Sequence, residues 1–344
     1  MSARLADHTT LRLGGPARDL EVVDRTDGIV ERLRALDAAG TPVLLLGGGS
    51  NLVVADEGFA GAVLKIASSE VRVTDRGDDV VVTADAGTSW DALVARAADS
   101  RWSGIEALSG IPGSVGATPM QNVGAYGQEV SDVISRVRVY DRRAGVLTWI
   151  DAAACGFGYR SSDFRGRSDR VIVEVEMVMR KSDASAPIRY AELAKALGVG
   201  AGETAPLARV RETVIALRRA KGMVLDDADP ESRSAGSFFT NPIVDQAIAD
   251  RIDASSETKT PRFAATEPGM VKLAAGWLIE RAGIVKGQRF GRVHVSRKHA
   301  LALVTEEGAT TGELLDAARA VQRAVRDRFG VTLEPEPIFV GCSL

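Results

Sequence analysis

Residues 110–127 read G-I-P-G-S-V-G-A-T-P-M-Q-N-V-G-A-Y-G. Five glycines and two prolines fall in this one segment. Both residue types weaken helix and strand interiors, so neither element is expected here. The stretch is too specific for a flexible linker, because Gln121, Asn122 and Tyr126 set polar and aromatic groups at fixed places among the glycines. It reads as a cradle made of main chain. Glycine lets backbone N–H groups approach a bulky anionic ligand, and successive N–H groups form a nest for phosphate. Upstream, residues 44–51 read L-L-L-G-G-G-S-N, a strand that empties into Gly47-Gly48-Gly49-Ser50-Asn51. A Rossmann fingerprint would place glycine at position 52, which is Leu52, and a Walker A loop would have a lysine after its glycines. Alone, this loop is equally a tight turn between strands. Two such loops in one chain point to a large phosphorylated cofactor.

Composition narrows the class. A length of 344 residues accommodates two or three domains, each with its own core. The net charge of -3, with both signs mixed along the chain, argues against a nucleic-acid partner that needs a basic face. No apolar run approaches the ~20 residues of a membrane span. The start, M-S-A-R-L-A-D-H, lacks the apolar core of a signal peptide. Two cysteines and three histidines make a zinc cluster improbable, so no metal is expected. The compartment these features favour is a reducing cytoplasm, with Cys155 and Cys342 as free thiols.

The chain opens with alternating strand and helix signals. Residues 20–23 read as a strand, 26–39 as a helix with Ile29, Val30, Leu33 and Leu36 at helical spacing, and 42–46 as a buried strand. Residues 53–54 and 62–66 add strands, giving a small α/β lobe. Next come a hairpin of 71–73 and 80–84 across residues 76–79, a helix over 90–98, and strands at 133–140, 146–150 and 171–179. A helix spans 205–220. Beyond residue 221, the pattern predicts a loop at 228–232, a helix over 270–282 and a strand at 299–304. Thr310-Thr311-Gly312-Glu313 is a capping box, opening a helix that Gly330 closes. The tail is extended.

Three shorter motifs carry polar chemistry. In Gly158-Tyr159-Arg160-Ser161-Ser162-Asp163-Phe164, Arg160 suits a bidentate carboxylate clamp, or is a surface arginine on a loop. In Ala235-Gly236-Ser237-Phe238-Phe239-Thr240-Asn241-Pro242, two adjacent aromatics require burial and set Ser237 beside an apolar wall. That suits a hydroxyl acting where water is scarce, or the start of a buried strand. No G-x-S-x-G elbow is present. Leu333-Glu334-Pro335-Glu336-Pro337 sets two glutamates at i and i+2 of an extended segment, on one side, as a site or as a solvated edge strand.

Taken together and in order, L-G-G-G-S-N, the 110–127 cradle, G-Y-R-S-S-D-F, A-G-S-F-F-T-N-P and L-E-P-E resemble the UDP-N-acetylenolpyruvoylglucosamine reductase (MurB) family, flavoenzymes of peptidoglycan synthesis. The resemblance covers nearly the whole chain, and five motifs in register are specific. It implies an α+β fold: an FAD-binding domain of the vanillyl-alcohol-oxidase type in two α/β subdomains, plus a C-terminal α+β substrate-binding domain. The implied boundaries are 1–66, completed by a C-terminal strand from 337–344, then 67–220 and 221–336. Gly47, Gly48, Gly49, Ser50 and Asn51 would hold the FAD pyrophosphate. Gly110, Ile111, Pro112, Gly113, Ser114, Gly116, Ala117, Gln121, Asn122, Gly124, Ala125 and Tyr126 would line the rest of the cofactor. Binding would be non-covalent, since neither loop holds a histidine.

Matched motif to motif, Arg160 takes the family's catalytic arginine position, Ser237 the proton donor's and Glu336 the catalytic glutamate's. Tyr190 resembles the substrate-loop tyrosine, and Tyr159, Lys221 and Asn241 resemble substrate-contacting positions. The implied reaction reduces UDP-N-acetylglucosamine enolpyruvate with NADPH, in a cytoplasmic monomer with no nucleic-acid partner and no membrane insertion. Two departures stand out. Thr240 occupies a position where many members carry lysine, and Pro337-Ile338 replaces the common Val-Arg. Within the same fold, a flavin oxidase or dehydrogenase of a sugar or alcohol is the competing enzyme, and an FAD-binding regulator without turnover is the non-enzymatic alternative. The presence of Arg160, Ser237 and Glu336 argues against both.

Overall fold

A computed structural model describes residues 3–344. The chain divides into two compact units: residues 17–49 and 59–220, with Ala3, form one, and residues 4–16, 50–58 and 221–344 form the other.

In the first unit, strand Ala17–Val23, helix Thr26–Ala38 and strand Val43–Leu46 follow one another. Strand Phe59–Ile66 then inserts between the two strands and pairs with both in parallel. Parallel neighbours need a crossover, and the helix supplies the first. Its stripe of Ile29, Val30, Leu33 and Leu36 is buried, packed with Leu64, Tyr140 and Val173. The second sheet is antiparallel, in the order Val146–Asp151, Ile134–Asp141, Arg170–Lys181, Asp79–Asp85, Val71–Arg76. Its long central strand buries Val173, Val175 and Met177 completely. Glu174 on that strand is also buried, a position a carboxylate holds only when paired. Arg138 Nη1 donates to it at 2.5 Å, and Arg72 reaches its other oxygen. Helix Trp90–Asp99 buries Trp90, Leu93, Val94 and Ala97 against this sheet's core. Helices Ala191–Leu197 and Leu207–Ala220 share a further cluster of Leu193, Leu197, Val210 and Val214.

The second unit gathers segments from far apart in the chain around one core that includes Leu11, Val53, Phe238, Leu273, Leu314 and Leu333. The N-terminal segment lies close against residues 55–58. Gly15 N–H donates to the Ala55 carbonyl at 2.9 Å, and a Cβ on Gly15 would stand only 2.0 Å from the Asp56 carbonyl oxygen. The tail strand Ile338–Val340 pairs in parallel with Leu52–Val54. Two small antiparallel sheets, Ile243–Asp245/Met270–Leu273/Arg262–Ala264 and Arg289–Phe290/Val293–Val295/Leu303–Thr305, complete the β structure around helices Gln246–Ala254, Ala275–Arg281 and Thr311–Phe329. The last helix opens on the expected capping box. Thr310 Oγ1 accepts from Glu313 N–H at 3.1 Å, and the Glu313 carboxylate accepts from Thr310 N–H at 2.9 Å. Gly330, at φ +71°, ends it.

Three elements differ from the sequence reading. The helix expected over 270–282 is a strand, Met270–Leu273, followed by helix Ala275–Arg281. Val271 and Leu273 are buried while Met270 and Lys272 are half-exposed, an alternation with a period of two that the apolar residues beyond it obscured. The strand expected at 299–304 is Leu303–Thr305, because residues 296–302 form a loop that Ser296 N–H closes on the Ala302 carbonyl at 2.8 Å, with an inner turn from Ala302 N–H to the His299 carbonyl at 3.1 Å. The loop at 228–232 contains a short 3-10 turn, Pro230–Ser232. Helices Ala191–Leu197 and Gln246–Ala254 had not been anticipated.

Candidate active site and cofactor cradle

In the first unit the two glycine loops are pressed together. A Cβ on Gly47 would lie 2.6 Å from Ser114 Oγ, and one on Gly48 would lie 2.7 Å from Gly113 Cα. The cradle also runs beside residues 86–90. Trp90 N–H donates to the Gly113 carbonyl at 3.1 Å, and Val115 N–H to the Thr88 carbonyl at 2.8 Å. A Cβ on Gly116 would stand 2.5 Å from Ala86 Cβ. The loops are therefore packed in close contact, largely through main chain. Backbone without side chains is what a bulky, phosphate-bearing cofactor can approach, so these residues fit such a group. Gly48→Ala tests the packing. A new Cβ there must push the loops apart, at a cost of about 1–3 kcal/mol, and the expected outcome is protein that purifies with a lower flavin content and binds added FAD more weakly.

The start of the cradle is pinned by Asp91. Its carboxylate accepts from Gly110 N–H at 2.6 Å and takes Arg211 through both oxygens, at 2.6 and 3.0 Å. Burial pushes the Asp91 pKa up, but the Arg211 and Gly110 bonds outweigh it and hold the carboxyl below its ordinary value. Sequence reading missed Asp91, which looks like any acidic residue in the first turn of a helix.

Further along, the backbone is strained. Among the described residues five non-glycines have φ in the left-handed region, and three of them are Asn122, Tyr126 and Arg160. Such conformations cost of order 1–3 kcal/mol each and persist where the surroundings enforce them. Asn122 is buried, donates to Glu129 Oε2 at 2.8 Å and to the Gly158 carbonyl at 3.1 Å, and accepts from Ser131 N–H at 3.1 Å. Arg160 sits in the corner of a tight hairpin closed between Gly158 and Ser161. Its Nη2 donates to the Gly124 carbonyl at 2.6 Å, and its guanidinium lies 5.3 Å from the Tyr159 ring centre. A Cβ on Gly124 would stand 2.8 Å from Glu129 Cγ, 2.9 Å from the Gln128 carbonyl oxygen and 3.0 Å from Arg160 Nη1, so glycine keeps this crowded corner open. Tyr126 meets Tyr190 edge to face at 5.5 Å. Burial pushes the Tyr126 hydroxyl up to about 12 and raises that of Tyr190, so both remain neutral donors near pH 7.

The remaining motifs lie in the second unit. Gly236, at φ +72°, turns the chain into Ser237. Phe238 and Phe239 are fully buried, with ring centres 5.2 Å apart. Phe239 bridges Pro335 in an antiparallel register, Glu336 N–H donates to the Phe238 carbonyl at 2.9 Å, and Thr240 N–H donates to the Glu334 carbonyl at 3.0 Å. This register sets Glu336 across from Phe238, the neighbour of Ser237. Glu334 is exposed and Glu336 half-buried. Ser50 and Asn51, the end of the upstream glycine motif, belong to this unit. Asn51 brackets Glu336: its Nδ2 donates to the Glu336 carbonyl at 3.4 Å, and its own carbonyl accepts from Ile338 N–H at 2.9 Å. Asn241 Oδ1 accepts from Ala275 N–H at 2.9 Å and so caps the helix that begins there. Lys221, half-buried, follows the helix Leu207–Ala220 directly.

A protein of Thermobifida fusca named UDP-N-acetylenolpyruvoylglucosamine reductase is 52% identical over 349 residues, a match that spans 99% of this chain and 97% of that protein. The chain belongs to the UDP-N-acetylenolpyruvoylglucosamine reductase family. A protein of the same name from Salinispora arenicola is 48% identical, over 99% of this chain and 95% of its own length. The sequence model of the UDP-N-acetylenolpyruvoylglucosamine reductase C-terminal domain matches residues 229–340, and that of an FAD-binding domain matches residues 21–151. Ser237 and Glu336 fall in the first match and both glycine loops in the second. The crystal structure of UDP-N-acetylenolpyruvylglucosamine reductase (MurB) from Thermus caldophilus superposes with a TM-score of 0.67 at 26% identity, covering 99% of this chain and 98% of that one. The reductase fold is thus the α+β class expected, and the chain is an FAD-binding oxidoreductase of this family. No helix of the described residues is long and apolar enough to cross a membrane.

Proposed function

We propose that this chain reduces UDP-N-acetylglucosamine enolpyruvate to UDP-N-acetylmuramate with NADPH, in cytoplasmic peptidoglycan precursor synthesis. The observation that carries the reading is the antiparallel pairing that sets Glu336 beside the Ser237 segment, within the stretch that matches the reductase C-terminal domain. When bound, FAD would supply the hydride chemistry, with NADPH as its reductant, and C3 of the enolpyruvyl group would receive the hydride. The chain's own residues handle charge and the proton. Negative charge develops on C2 and the substrate carboxylate. Arg160, whose guanidinium is steered by the Gly124 carbonyl and the Tyr159 ring, pairs with that carboxylate. Ser237 Oγ gives its proton to C2, so hydride and proton together complete the saturated lactyl ether. Glu336 stabilises the intermediate either as the neutral acid or by orienting a proton, since two ionised carboxylates in contact would repel. Tyr190, Tyr159, Lys221 and Asn241 are the proposed substrate contacts, and the segments 47–51 and 110–126 the proposed FAD contacts.

The proposed division runs 1–66 with the tail strand, 67–220 and 221–336. The pairing of Ile338–Val340 with Leu52–Val54 supports the return of the tail. Segments 4–16 and 50–58 group by contact with 221–344.

The test is anaerobic. The flavin is reduced with NADPH, UDP-N-acetylglucosamine enolpyruvate is added, and flavin absorbance is followed. Rapid return of the oxidised spectrum supports the reading. A flavin that stays bleached until air enters overturns it in favour of an oxidase.

A further inference from the structure

We infer that Thr10 is a positioning residue for Ser237 and Glu336. The inference rests on the roles proposed for those two groups. Thr10 lies in none of the five motifs that mark the family, and it is separated from Ser234 by 224 residues. Its side chain is buried. Its hydroxyl carries one hydrogen, which it donates to the Ser234 carbonyl at 3.0 Å and shares weakly with the Ser50 carbonyl at 3.4 Å.

Each contact leads to one of the reacting side chains. On one side, Ser234 Oγ accepts from Gly236 N–H at 3.2 Å, and Gly236 turns the chain into Ser237. On the other, Ser50 precedes Asn51, which holds the Glu336 carbonyl and the Ile338 N–H. The bond from Glu336 N–H to the Phe238 carbonyl joins the two branches. The result is a circuit running from Thr10 through Ser234, Gly236, Phe238, Glu336, Asn51 and Ser50 back to Thr10, closed on the Ser50 side by the weaker arm of the one shared hydrogen. A closed circuit fixes the separation of groups attached to it, whereas an open chain of bonds lets one end drift. Proton transfer is steeply sensitive to such drift: a misplacement of about 1 Å costs on the order of 10²-fold in rate.

The experiment compares the parent holoenzyme with Thr10→Val, which keeps the shape and loses the hydroxyl, and with Thr10→Ser, which keeps the donor. Thr10→Val is expected to slow the substrate-driven return of oxidised flavin by roughly tenfold or more, with kcat falling further than KM rises. NADPH-driven bleaching is expected to stay at the parent rate, and Thr10→Ser to restore the lost step. Amide hydrogen exchange at Gly236 and Glu336 is expected to quicken in Thr10→Val alone. Parent-like rates for both steps in Thr10→Val overturn the inference. So does an equal fall of both steps with loss of flavin, which marks a merely structural role. Ser237→Ala, run in parallel, separates the two ideas. If it is inactive while Thr10→Val is not, only the Thr10 inference fails. If it retains full activity, the roles proposed for the site fail.

Discussion

Ser237→Ala is expected to lower the rate of product formation by roughly 10²–10⁴-fold, the usual contribution of a positioned acid, while NADPH continues to bleach the flavin at the parent rate. The split follows from where the serine stands. Ser237 is half-buried next to the fully buried Phe238 and Phe239, and bound substrate would exclude the water that could otherwise replace the missing proton source. A serine hydroxyl is a weak acid in water. The base it meets is carbanionic and strong, so geometry rather than acidity sets the rate. That geometry is local: Gly236 sets the turn into Ser237, Phe238 N–H donates to the Leu301 carbonyl at 2.8 Å, and Glu336 N–H donates to the Phe238 carbonyl at 2.9 Å. Removing one hydroxyl disturbs none of these bonds, so folding and flavin content should not change. The checks are stopped-flow absorbance for each half-reaction and deuterium incorporation at C2 of the product in heavy water. Product formed within threefold of the parent rate by Ser237→Ala would show that another group delivers the proton.

The parts legible in the sequence were those specified by neighbours along the chain. The glycine loops announced themselves because no other residue type tolerates so close an approach of main chain, as at Gly48 against Gly113. The last helix was legible from its capping box and closing glycine, both local signals. Periodicity served where one element stood alone, as in Thr26–Ala38, and failed at residues 270–282, where a strand of period two runs into a helix within five residues. The supports of the site were not legible at all. Thr10 reaches Ser234 across 224 residues, and Asp91 holds Gly110 from the first turn of a helix where an acidic residue is ordinary. Neither spacing nor composition marks such contacts, because they exist only once two distant segments share a core.

Glu231 is the same kind of residue, and its loss is expected to have the largest effect on stability. Its carboxylate is buried in the second unit and accepts from Ser296 Oγ at 2.7 Å, Arg297 N–H at 2.8 Å and Arg297 Nη1 at 2.8 Å. His294 Nε2 lies 3.1 Å from the same group, and His294 Nδ1 lies 3.4 Å from Glu306. The network ties the turn Pro230–Ser232, which ends five residues before Ser237, to the strand Val293–Val295 and the turn after it. Glu231→Ala would strand the buried Ser296 hydroxyl and His294 ring away from water, while the exposed Arg297 guanidinium turns to solvent. Leaving buried donors unsatisfied costs about 1–3 kcal/mol, which corresponds to a fall of several degrees in the unfolding midpoint. Glu231→Gln keeps the volume but turns an N–H₂ toward groups that themselves donate, so it should recover only part of the loss. The pH dependence has a definite sign. Burial alone would raise the Glu231 pKa, but the bonds from Ser296, His294 and the Arg297 N–H outweigh it, and the folded value lies below the ordinary one. A carboxylate held low when folded stabilises fully above its unfolded pKa of about 4.3. That contribution fades as pH falls through the depressed folded value, because the unfolded chain then binds the proton more readily. The parent should therefore lose stability below about pH 4.3 more steeply than Glu231→Gln does. Thermal unfolding of the three proteins from pH 7 to pH 3 measures both effects. Midpoints for Glu231→Ala within about 2 °C of the parent, with the same slope at low pH, would mean that the network orders the turn before Ser237 without stabilising the unit.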